Sequence, residues 1–131
     1  MESYVLMLQT DADDRELTES VLAEFNKNIQ LKYLGDPDEV GPFIASNGLP
    51  SLFLVSDSTR GLAAVLVSKL RATASCSHIP VIILAEKSIE SYIKECYRAG
   101  ANTVITKPST IKLTRKKIEI FFTYWDEVAD L

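Results

Sequence analysis

Asp57 closes the run Leu52-Phe53-Leu54-Val55-Ser56-Asp57, in which uncharged residues of strong β character lead directly into a carboxylate. Apolar residues at successive positions suit a strand buried on both faces, as in a parallel sheet covered by helices. The carboxylate then stands at the carboxyl end of a strand, where open α/β sheets place their ligands. Two other strand ends carry chemistry: Gln9-Thr10-Asp11, and Thr106-Lys107-Pro108. A carboxylate can act as a nucleophile and form an acyl phosphate, and a lysine can serve as a point charge on phosphate oxygens. Asp57 facing Lys107 is thus a natural receptor for a phosphoryl group. The plainer alternative is that Asp57 opens the turn Asp57-Ser58-Thr59-Arg60-Gly61, and that Lys107 pairs with it to pin two loops.

Alternating strands and helices must position these groups. Strands are expected at 4–9, 29–34, 52–56, 80–84 and 103–106. The helices between them carry apolar residues at helical spacing: Leu17, Val21, Leu22 and Phe25 in the first, and Val40, Phe43 and Ile44 in a short second. The segment 61–72 is broadly apolar, and the helix over 88–99 spaces Ile89, Tyr92, Ile93 and Cys96 on one face before Gly100 ends it. The last helix, 110–128, carries Leu113, Ile118, Phe121, Phe122, Trp125 and Val128. Asp11, Asp13 and Asp14 supply a cap and an acidic first turn to the first helix. Right-handed crossovers then give a parallel sheet with helices on both sides. The expected fold is α/β: a flavodoxin-like three-layer sandwich with five strands in the order 2-1-3-4-5 and five helices, one domain over 1–131.

Composition removes several function classes. The net charge of −4 argues against a nucleic-acid partner, which calls for a basic face. No apolar run approaches the roughly 20 residues of a membrane span, and no signal peptide opens the chain, so a cytoplasmic protein is expected. Cys76 and Cys96 lack metal spacing and read as free thiols. No Gly-x-Gly-x-x-Gly or P-loop follows the first strand. The single histidine, His78, sits in an expected surface loop, which leaves no Ser-His-Asp or Cys-His site. An enzyme is not expected.

Taken together, these segments resemble the receiver domain of bacterial two-component response regulators. Phe53-Leu54-Val55-Ser56-Asp57 is similar to the family's third strand with its phosphoacceptor Asp, and Pro80-Val81-Ile82-Ile83-Leu84-Ala85 to its fourth. Arg98-Ala99-Gly100-Ala101-Asn102 and Val104-Ile105-Thr106-Lys107-Pro108 resemble its Ala-Gly-Ala turn, fifth strand and Lys-Pro pair. The segments 16–19 and 120–125 are similar to single-domain receivers that partner phytochrome-type kinases. The resemblance implies that Asp57 is the phosphoacceptor, with Ser56 in that role if the strand is counted from Pro50, and that Lys107 binds the phosphoryl group.

The departures set the functional expectation. Gln9 and Thr10 occupy the positions of the family's acidic pair, where a carboxylate binds Mg²⁺. A hard divalent ion wants several anionic oxygens, so Mg²⁺ binding is expected to be weak or absent, with Asp57 and Asp11 its remaining carboxylates. Ala85 replaces the family's switch hydroxyl, and Val104 its switch aromatic. The expectation is a receiver with an eroded metal site that acts mainly by protein–protein interaction, with a histidine kinase or another signalling protein as partner. Tyr92, Phe122, Tyr124 and Trp125 could anchor that partner, or a second copy through the last helix. The alternatives are a working phosphoacceptor and an unrelated small-ligand binder on the same fold.

Overall fold

The computed structural model describes residues 3–8, 12–25, 29–57, 62–107 and 110–124. The strands are β1 (Ser3–Leu8), β2 (Ile29–Leu34), β3 (Leu52–Asp57), β4 (Val81–Ala85) and β5 (Thr103–Thr106). The helices are α1 (Ala12–Phe25), α2 (Val40–Asn47), α3 (Leu62–Ala72), α4 (Glu90–Ala99) and α5 (Ile111–Thr123). All neighbouring strands are parallel, in the order β2-β1-β3-β4-β5. The sequence reading of the fold and its topology holds.

Alternation along the strands divides the interior into two cores. Leu6, Leu8, Phe53, Val55, Val81, Ile83 and Ala85 face a layer made by α2, α3 and α4. Val5, Met7, Leu52, Leu54, Ile82 and Leu84 face α1 and α5, which contribute Val21, Leu22, Ile118, Phe121 and Phe122. Every residue of β3 and β4 is buried. This two-sided burial is the reason their sequences are unbroken apolar runs. β5 lies at the sheet edge and is only half-buried.

The turn between α4 and β5 is fixed by a side chain from α3. Arg71 donates from Nε to the Gly100 carbonyl at 2.9 Å, from Nη1 to the Ile79 carbonyl at 2.6 Å, and from Nη2 to Asn102 Oδ1 at 2.6 Å. Asn102 Oδ1 also accepts from the Val81 amide, tying the turn to the start of β4. Gly100 has φ +117°, and a Cβ there would lie 2.6 Å from Arg71 Cγ. The glycine is required both by its backbone and by the guanidinium packed against it.

Some sequence expectations shift. Ile89 precedes α4 as its cap and is exposed, so the inward face of that helix is carried by Tyr92 and Cys96. Phe122 is buried in the core beside Phe121 and cannot anchor a partner, whereas Tyr124 is about half exposed. Trp125 and Val128 lie outside the described residues. His78 is exposed as expected, and Cys76 and Cys96 are free and buried. Among the described residues, no helix is long and apolar enough to cross a membrane.

Candidate functional site

Strand pleating sends Ser56 and Asp57 to opposite faces of the sheet at the end of β3, and each meets a different set of partners. Ser56 is fully buried on the α1/α5 side and donates from Oγ to Asp14 Oδ2 at 2.6 Å. The same carboxylate oxygen accepts from Lys107 Nζ at 2.9 Å, and Lys107 also bonds Glu86 Oε1 at 2.7 Å. The Asp14 and Lys107 side chains are 7% and 10% exposed, so this ion pair is shielded from solvent, while Glu86 is half exposed. Burial alone would lower the Lys107 pKa, but the hydrogen bonds it donates to Glu86 and Asp14, and their charges, outweigh it and raise the value.

Lys107 is held in place at both ends of its length. Its backbone amide donates to the Ala85 carbonyl at 2.9 Å, continuing the β4–β5 ladder past Thr106. Its ammonium then reaches back to α1. The expectation set Lys107 opposite Asp57; in the structure the ammonium is engaged by Asp14 and Glu86.

Asp57 is 8% exposed, and in register with Ala85 on β4. Paired residues of parallel strands share a face, so both look toward the α3/α4 layer. Tyr92 of α4 packs onto this core together with Val104. Its hydroxyl oxygen is buried and takes no hydrogen-bond partner among the described residues. Burial first, then the adjacent Asp57 carboxylate and the Cys96 thiol, push the Tyr92 hydroxyl well above the ordinary tyrosine range. Burial likewise raises the Cys96 thiol; Tyr92 opposes this, and the charge of Asp57 adds to it. Ala85 and Val104, expected as replacements of the switch hydroxyl and switch aromatic, contribute only aliphatic surface here.

Gln9, Thr10 and Asp11 lie outside the described residues. Asp14 lies in the first turn of α1, as expected. What sequence reasoning did not give it is a place in the site: its side chain is buried between Ser56 and Lys107. Among the described residues the buried carboxylates are Asp14 and Asp57, and Asp14 Oδ2 already serves an ammonium and a hydroxyl. Among the described residues, no group of three or more His, Cys, Asp or Glu side chains is placed to hold a metal ion.

No family model matches the chain. A chemotaxis protein CheY from Pseudomonas aeruginosa is 29% identical over 111 residues, which span 79% of this chain and 89% of that protein. The crystal structure of a phosphorylated cyanobacterial phytochrome response regulator, RcpA, superimposes with a TM-score of 0.85 at 18% identity, covering 100% of this chain and 99% of the other. The topology and this superposition show the flavodoxin-like fold of response-regulator receivers. In sequence the chain is similar to CheY over most of its length. A histidine kinase from Formosa agariphila, Histidine kinase P4, is 35% identical over 78 residues, or 58% of this chain. The match spans only 6% of that kinase's length.

Beside the site, an open groove of about 800 Å³ runs along the edge strand β5, lined by Val104, Ile105, Lys117, Ile120, Phe121 and Tyr124. Ile120 and Tyr124 are 59% and 51% exposed there.

Proposed function

We propose that this chain is a receiver domain of two-component signalling, not an enzyme, that docks a partner protein with little dependence on Mg²⁺ or on phosphorylation of Asp57. The observation that carries this reading is the closed pairing of Lys107. The cation assigned to the phosphoryl group is engaged by Asp14 and Glu86, and Ser56 completes the coordination of Asp14. A phosphoryl group arriving at Asp57 has to draw Lys107 out of a shielded ion pair, which is costly. Gln9 and Thr10 in the acidic-pair positions remove the carboxylates that would favour Mg²⁺. The docking face in this reading is the β5–α5 groove with α4 beside it, where Ile120 and Tyr124 offer exposed anchors. A histidine kinase is the partner favoured by the similarity to Histidine kinase P4, and a cytoplasmic location fits such a partner. A second copy of this chain, docked through α5, is the competing occupant.

Acetyl phosphate with millimolar Mg²⁺ tests the reading, scored by intact mass. Wild type is expected to stay unmodified. A gain of one phosphoryl group that disappears in Asp57→Asn supports the second reading, a working phosphoacceptor. That reading is favoured by the position of Asp57 at the end of β3 and by the phosphorylated state of the RcpA structure.

A further inference from the structure

On the α3/α4 side of the sheet, β4 offers Asp57 no polar side chain. Its register partner on β4 is Ala85, and on β5 the residue of the same core is Val104. Among the described residues, the polar groups brought to the carboxylate from this side are carried by α4: the Tyr92 hydroxyl, with the Cys96 thiol one helical turn further on. The small side chain of Ala85 leaves room for a tyrosine ring to reach across β4 from the helix.

We propose that Tyr92 is a positioning residue through which the Asp57 carboxylate sets the placement of α4. A buried hydroxyl without a partner is unfavourable, and a carboxylate beside it is a strong acceptor. Closing that hydrogen bond draws α4 toward the end of β3. Opening it releases the helix, because α4 is otherwise held on this core by a short inward face. Loss of the Asp57 carboxylate is thus felt in α4 without a hydroxyl on β4 or an aromatic ring on β5. The coupling concerns the unmodified carboxylate and does not depend on phosphorylation; only its bearing on partner docking rests on the function proposed above.

The test is amide hydrogen exchange in the full chain, comparing α4 with α1 in the same molecule. The variants are Tyr92→Phe, Asp57→Asn and the double substitution, all of which preserve side-chain shape. Each single variant is expected to speed α4 exchange about fivefold relative to α1, and the double variant no more than the stronger single, the signature of one shared interaction. Unchanged or slowed α4 exchange in Tyr92→Phe would overturn the proposal, since the ring would then merely fill space. So would single effects that multiply in the double variant. Because no phosphoryl donor or Mg²⁺ is present, this result is independent of the acetyl phosphate experiment.

Discussion

Asp14 carries more of the site than its place in the first turn of a helix suggests. Its carboxylate is buried and bridges Ser56 and Lys107, residues 42 and 93 positions away in the chain. Asp14→Ala should therefore cost about 2 kcal/mol in urea unfolding, as expected for a buried charged hydrogen-bonding group. Glu86→Ala removes the half-exposed partner of the same ammonium, and should cost less than about 1 kcal/mol. The pH dependence follows from Lys107. Folding raises its pKa, so its contribution is complete below the ordinary lysine value of about 10.4 and fades as pH climbs through the higher folded value. Wild type should lose more stability than Lys107→Met between neutral pH and pH values above about 10.5. At this scale the sequence was only partly legible. Asp57 and Ala85 close β3 and β4 and Lys107 follows β5, as local pattern assigned, with Val104 inside β5. The partner of Lys107 was not foreseen, because first-turn acidic residues so commonly serve the helix itself that nothing local marks one as buried.

At the scale of elements, periodicity sufficed wherever an element is buried on a consistent face. β3 and β4 stand out because both their faces are covered, and α5 because Ile118, Phe121 and Phe122 repeat at helical spacing on the core side. The boundary of α4 was misjudged. Ile89 has the right spacing for its inward stripe but lies in extended backbone at the cap. The Arg71 network was invisible for a different reason: a guanidinium on α3 gathering acceptors from the loop before β4 and from the α4–β5 turn leaves no motif in any one of them. Its loss should be felt across all of them. Arg71→Lys is expected to cost about 1–2 kcal/mol, since a point ammonium cannot serve several acceptors in a fork. Gly100→Ala should cost at least about 1 kcal/mol through its left-handed backbone alone, with the clash on Arg71 added. Chemical denaturation of the two variants checks both.

For the whole molecule, the two faces of the sheet divide the work. The α1/α5 side holds the Ser56–Asp14–Lys107 arrangement, and the α3/α4 side holds Asp57 with Tyr92 and Cys96. The lysine that the receiver pattern pairs with Asp57 is bonded by Asp14 and Glu86. The β5–α5 groove and α4 lie beside both sets. A docking surface there can be stable without a phosphoryl group, because the cation is already neutralised from within. In the proposed function the acceptor site no longer switches the domain. Titration with beryllofluoride and Mg²⁺, a mimic of the phosphoryl group, read by backbone NMR shifts around Asp57 and Lys107, tests this. No saturable shifts are expected at millimolar Mg²⁺. Saturable, Mg²⁺-dependent shifts that vanish in Asp57→Asn would contradict it.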